Sequence, residues 1–211
     1  MIERNIRKGL LIILSSPSGG GKTSIYKKIL EHNPEFLYSV SATTRPKRVG
    51  EIDGKSYHFL SVDEFRRQIE EGKFAEWALV YGHYYGTYRS FIDRALAEGK
   101  IVLMDIDTQG AKNLIGLYKE AVDIFIIPPS YETLKKRLYK RDTDDRYALK
   151  LRLEEALKEI NEWPNYKYVV INDSLRKAVK KVEAVITAET LKSSNYPKNY
   201  FQKLFVGKEN D

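Results

Sequence analysis

LLIILSSPSGGGKT, residues 10–23, is the stretch that decides the fold. Its first five residues are apolar and read as a buried strand. SSPSGGGKT then reads as a glycine-rich turn running into a helix near Thr23. Such a turn points successive backbone N–H groups into one concavity, and the helix adds the positive end of its dipole. Lys22 supplies a mobile ammonium, and Thr23 a hydroxyl of the kind that ligates Mg²⁺ beside nucleotide phosphates. The strict phosphate-loop pattern has glycine six residues before the lysine, where this chain has Ser16. The bland alternative is a tight strand-to-helix turn that needs glycine for conformational reasons alone.

Outward from that stretch, strands and helices alternate. Ile25, Ile29 and Leu30 mark a helix that ends before Asn33-Pro34. Tyr38 and Val40 alternate with serines as in a short strand, and Tyr57-His58-Phe59-Leu60 suggests another. A basic loop lies between them, with Arg45, Lys47 and Arg48 punctuated by Pro46, Gly50 and Gly54. Ser61 and Glu64 form a capping box for a helix that buries Phe65 and Ile69 and stops at Gly72. FAEWALVYGHYYGTY, residues 74–88, turns at Gly82 as a hairpin.

A helix over 90–98 should turn Phe91, Ala95 and Leu96 inward. The strand IVLMDID, residues 101–107, then delivers Asp105 and Asp107 at its carboxyl end. Ligands of open parallel sheets bind at that end, so both acids belong near the loop at 16–23. A helix near 108–117 and the strand VDIFIIPP follow. Tyr131, Leu134 and Leu138 mark the next helix, and Leu149, Leu153, Leu157 and Ile160 a long one ending at Trp163-Pro164. YKYVVIND is the last strand, and the last helix shows Leu175, Val179, Val182 and Ile186 on its apolar face. The pattern predicts an α/β fold with a mostly parallel sheet covered by helices on both faces.

The chain has 211 residues, enough for one α/β domain with small insertions. It has no cysteine, which excludes disulfides and thiolate metal sites. The apolar run at its start is too short for a signal peptide or membrane span, so no membrane and a cytoplasmic location are expected by default. The net charge of +7 and pI near 9.3 suit polyanionic partners. Lys135 to Arg152 holds eight Lys/Arg and three Asp, a local excess of +5. His32, His58 and His83 lack metal-ligand spacing.

SPSGGGKT, SVSATTRPKRVGEIDGKSYHF (39–59), Glu76-Trp77, GHYYGT (82–87) and DIDTQG (105–110) resemble the guanylate kinase family in order and spacing. The resemblance runs from residue 10 to about 190 and implies the P-loop nucleoside-monophosphate-kinase fold. It implies transfer of the γ-phosphoryl of ATP to GMP with Mg²⁺. The core would be residues 1–36 and 89–190, with a lid at about 137–152. Residues 37–88 would be a strand-rich GMP-binding insertion. Residues 191–211 form a C-terminal tail beyond the resemblance, polar but with aromatic residues that could dock it on the body.

Carried across by position, Ser16, Pro17, Ser18, Gly19, Gly20, Gly21, Lys22, Thr23 and Ser24 would hold the ATP phosphates, with Asn172 at the adenine edge. Thr23 and Asp105 would hold the metal, Asp105 through a water. Arg45, Arg48, Tyr57 and Tyr85 would hold the GMP phosphate, and guanidinium forks suit such a dianion. Ser41, Glu76, Gly86, Thr87 and Asp107 fall at guanine-binding positions. A carboxylate there accepts from guanine N1–H and N2–H₂, donors that adenine lacks. Arg137, Arg141 and Arg152 fall at the arginines that close on the transferring phosphoryl, which accounts for the +5 patch better than nucleic acid does. The family lid commonly reads Gly-Arg-Gly, whereas this chain has Lys140-Arg141-Asp142, which implies a stiffer hinge.

Rival readings are weighed on the same residues. A non-catalytic guanylate-kinase-like binding module would lack the working loop that Lys22 and Thr23 supply. A kinase for another small molecule would not need Glu76 and Asp107. A GTPase switch would follow Asp107-Thr-Gln-Gly110 with an Asn-Lys-x-Asp motif, which this chain lacks. No specific nucleic acid is expected. The resemblance leaves open dGMP as an acceptor and the existence of a homo-oligomer.

Overall fold

Leu10–Ser15 form β1 with every residue buried, as a strand covered on both faces requires. The computed structural model containing it describes residues 8–80, 82–141 and 146–206, without the side chains of 141, 146–149, 203, 204 and 206. β1 pairs in parallel with β7 (Ile101–Asp105) on one side and β8 (Val122–Ile127) on the other. With β2 (Leu37–Tyr38) and β9 (Tyr168–Ile171) at the edges, the sheet order is β2-β7-β1-β8-β9, every pairing parallel.

Alternation along β1 divides the core between two faces. Leu10, Ile12 and Leu14 pack with Ile25 and Ile29 of α1 (Lys22–His32) and with Ala178, Val179, Val182 and Ile186 of α7 (Leu175–Thr190). Leu11 and Ile13 face the other way. They meet Ile92 and Ala95 of α3 (Arg89–Ala97) and Ala111 and Leu114 of α4 (Thr108–Leu117). All four helices thus bury one stripe against the sheet, the double-sided cover that the strand–helix alternation predicts.

The excursion between α1 and α3 builds a second sheet, ordered β4-β3-β6-β5, from β3 (Ala42–Thr43), β4 (His58–Phe59), β5 (Phe74–Val80) and β6 (His83–Tyr88). α2 (Val62–Glu70) covers it through Phe65, whose ring stacks on Phe74 at 4.5 Å and on Tyr84 at 5.3 Å. Gly86 makes that approach possible, since a side chain there would sit 2.9 Å from the Phe65 ring. Register sets Glu76 opposite Thr87, one step past a β-bulge between Phe74 and Glu76. α5 (Tyr131–Arg141) and α6 (Arg146–Ile160) pack on each other through Leu134, Leu138 and Ala156.

Several expected details change. β2 joins the large sheet, because Leu37 packs into its core beside β7, so the excursion leaves the core after Tyr38 rather than at 37. On α3 the fully buried residue is Ile92, with Phe91 and Leu96 only partly covered. On α6 the buried stripe is Leu153, Ala156 and Ile160, because small Ala156 brings that face against α5 and leaves Leu157 exposed. Leu149 lies outside the described side chains. Leu175 opens α7 beyond the sheet and is exposed. Ser61 Oγ accepts from Glu64 N at 3.1 Å, but the Glu64 carboxylate turns to Arg67 and Gln68, so half the capping box forms. The tail touches the body at Asn195, whose O accepts from Lys8 N and whose Nδ2 donates to Glu189 O. Phe201 and Phe205 beyond it are exposed. No helix among the described residues is long and apolar enough to cross a membrane.

Candidate active site

The turn from β1 into α1 carries Gly19 at φ 82° and Gly21 at φ 94°, values that residues with a Cβ rarely adopt. Gly21 is the N-cap of α1 and supplies no side-chain acceptor. The first N–H groups of the helix are therefore left for another acceptor. Around this turn lies a cavity of about 260 Å³, lined by residues 16–23, Val80, Asp105, Asp107 and Glu159. Lys22 Nζ donates to Ile106 O at 2.5 Å, tying the ammonium to the chain just past β7.

β7 ends at Asp105, as the strand pattern requires. Its Oδ1 accepts from the Tyr38 hydroxyl, and Tyr38 stacks on Tyr26 of α1 at 4.7 Å. Burial pushes the Asp105 carboxyl up, while Lys22 and the Tyr38 bond pull it down. The Tyr38 hydroxyl is driven far above its usual range by burial and by Asp105. Asp107 caps α4, accepting from Gly110 N at 2.8 Å.

Glu76 reaches the same region from β5. It is 9% exposed, and its Oε1 accepts from Thr87 Oγ1 at 2.7 Å. Its Oε2 lies against α4, where a side chain at Gly110 would meet it at 2.7 Å. Burial raises its pKa to about 7; Thr87 pulls down and Asp107 adds to the rise. Glu76, Thr87 and Asp107 thus come together from three elements. Ser41 sits half-buried at the start of β3, its O accepting from His58 N at 2.9 Å.

The basic loop forms a second cluster. The Arg45 guanidinium lies over the Tyr57 ring at 5.3 Å, and Tyr57 meets Tyr85 edge-on at 6.0 Å. Arg45 donates to Glu51 Oε1 at 2.6 Å and to Pro46 O at 2.7 Å. Arg48 N donates to Glu51 Oε2 at 2.8 Å, and its side chain is exposed. Arg45 and the Arg48 amide hold the Glu51 carboxyl below its usual range. Burial, then Asp105 and Tyr85, push the Tyr57 hydroxyl up to about 12.

Arg137 and Asn172 lie at the glycine-rich loop. Arg137 donates to Gly20 O at 3.1 Å and to Asn172 O at 3.0 Å, and Asn172 Nδ2 donates to Gly20 O at 2.9 Å. Both therefore brace the loop backbone. Arg152 is half-buried on α6. The Arg141 side chain and Asp142 lie outside the described residues. Sequence reasoning missed Glu159, Glu51 and Tyr38. Glu51 could have been found as one of two acids in the basic loop, whereas Glu159 carries no local signal because its partner is 141 residues away.

A loop of this shape after the first strand of a five-stranded parallel sheet, with acids on the neighbouring strand end, defines the P-loop nucleoside monophosphate kinase class. A second, strand-rich unit bearing a carboxylate and an arginine cluster fits that class. A family model described as "Guanylate kinase" matches residues 8–189, and the chain belongs to that family. It is 46% identical to the guanylate kinase of Maricaulis maris over 197 residues, 93% of this chain and 90% of the other. With that of Clostridium tetani it shares 48% over 184 residues, covering 87% and 88%. The crystal structure of guanylate kinase from Anaplasma phagocytophilum matches at TM-score 0.79 and 31% identity, over 96% of this chain and 97% of that one.

Proposed function

We infer that this chain transfers the terminal phosphoryl group of ATP to GMP, giving ADP and GDP. The observation that carries the reading is the meeting of Glu76, Thr87 and Asp107 beside the glycine-rich loop, which sets a donor-accepting carboxylate next to a phosphate cradle. Guanine offers N1–H and N2–H₂ to that carboxylate. Adenine offers neither, and a buried acid left unpaired is how a polar pocket reaches selectivities of about 10⁴.

Residues 16–24 form the donor-phosphate loop, which binds through Lys22 and through those backbone N–H groups that Glu159 and Pro17 O leave open. Arg45, Arg48, Tyr57 and Tyr85 take the acceptor phosphate, so the insertion between β2 and α3 is the GMP-binding unit. Arg152 and Arg141 belong to the lid over the transferring group. Arg137 reaches it by bracing Gly20. Transfer of this kind depends on alignment and charge neutralisation, with little proton abstraction at the start. Thr23 and Asp105 line one cavity and offer a hydroxyl and a carboxylate, hard oxygen donors few enough to suit Mg²⁺, which keeps several waters. When bound there, Mg²⁺ supplies charge neutralisation at the phosphates. Tyr38 orients Asp105 for that task.

The test is a coupled assay for ADP with ATP and each nucleoside monophosphate in turn, dGMP and a ribose phosphate included. GMP turnover with AMP inert is the expected result. Turnover of AMP or ribose phosphate instead would overturn the reading.

A further inference from the structure

The turn that holds the donor phosphates contains three glycines in a row and has little stiffness of its own. Its shape is fixed from outside. Arg137 of α5 and Asn172 after β9 hold Gly20 O, and the third hold comes from Glu159, in the last turn of α6. Its Oε2 accepts from Ser18 N at 2.8 Å. Glu159 also lines the phosphate cavity beside Asp105 and Asp107; burial pushes its carboxyl up, while the Ser18 amide and the charge of Lys22 pull it down. A third carboxylate beside an anion site is unfavourable on electrostatic grounds. It is retained here because a charge-assisted bond to a backbone N–H holds the turn in a single shape.

We propose that Glu159 is a positioning residue for the donor phosphates. Its carboxylate pins the Ser18 amide and so ties the seating of α6 to the shape of the phosphate loop. Without the pin, the loop samples more conformations and loses more entropy when a donor nucleotide orders it. The acceptor pocket has no part in the bond and should not feel its loss. The inference rests on reading residues 16–24 as the donor site.

The experiment uses the full chain as wild type, Glu159→Ala, Glu159→Gln and Glu159→Asp. ADP and GMP affinities are measured by calorimetry, and amide exchange is followed in the peptide around Ser18. Glu159→Ala should weaken ADP by about tenfold while GMP changes by less than about twofold, the loss of one charge-assisted bond. Exchange at the loop should rise. Glu159→Gln, whose carboxamide oxygen accepts the same N–H, should keep ADP within about threefold of wild type and the loop protected. Glu159→Asp, one methylene too short, should follow Ala, and serves alone if Ala does not fold. Unchanged ADP affinity in Ala and Asp, equal losses for ADP and GMP, or Gln as damaging as Ala would each overturn the proposal. If wild type binds no ADP, the donor-site reading fails instead; loop exchange then decides the Glu159–Ser18 pin by itself.

Discussion

GMP binding should expel a proton from Glu76. Burial raises this carboxyl to about 7 in the free protein, so at pH 6 it is mostly protonated. Guanine presents donors to it and favours the ionised form, so binding at pH 6 should release close to one proton. GMP affinity should then climb up to tenfold per pH unit and level off above about 7. Stability of the free protein should move the other way. With a folded pKa above the unfolded one, the native state holds a proton that the unfolded chain has lost, and stability falls as pH rises between them. At about 1.4 kcal/mol per pH unit, the interval from 4.5 to about 7 is worth about 3 kcal/mol. At 9% exposure the carboxyl is little screened by solvent. Glu76→Gln should remove the Glu76 share of both slopes, leaving in GMP binding only the titration of the nucleotide phosphate at about pH 6, and should weaken GMP by about 1.5–3 kcal/mol, the value of hydrogen bonds to a charged group. Calorimetry at pH 6 in two buffers of different ionisation enthalpy reads the proton count. The reasoning fails if no proton is released, or if Glu76→Gln releases as many as wild type.

Two further substitutions address the donor side. Lys22→Ala should lower kcat by about 10²–10³, as removing a charge-stabilising donor does, while GMP affinity stays within about twofold; steady-state kinetics with GMP binding checks both, and a normal kcat would remove Lys22 from the chemistry. Gly21→Ala would put a methyl 2.3 Å from Asn172 Nδ2 in a residue at φ 94°. It should cost about 1–3 kcal/mol of stability and weaken ADP, and a thermal melt and ADP titration equal to wild type would contradict it.

The large sheet was legible because its strands are continuous apolar runs and its helices carry clean stripes, both local signals. What failed depended on partners far along the chain. β2 is two residues long, and only its pairing with Val102 and Leu103 assigns it to the large sheet. Leu157 reads as core by spacing, but α6 packs on the face that Ala156 opens. The candidate site residues are readable as types at fixed spacing, and of these Glu76, Thr87 and Asp107 lie together in the fold. Arg137 and Asn172 reveal their partner, Gly20 O, only in three dimensions, because a backbone carbonyl leaves no mark in a sequence. Glu159 escaped for the same reason, its partner being the Ser18 amide.

The two anion sites begin from different states. Arg45 has five N–H donors; Glu51 and Pro46 O each take from one of its terminal nitrogens and hold the guanidinium over Tyr57, leaving donors to meet a dianion. An arginine already held loses less rotamer entropy on binding, so on the proposed reading this cluster would be preformed for the acceptor phosphate. Lys22 is in a different position. Its bond to Ile106 O spends a charge on a neutral carbonyl, and an ammonium gains more from a phosphate oxygen than from that carbonyl. On the proposed reading, donor phosphates would bind by exchange, drawing Lys22 off the carbonyl of Ile106 just past β7. Ile106 is bonded directly to Asp107, so on that reading the exchange acts one peptide bond away from a residue of the proposed acceptor pocket.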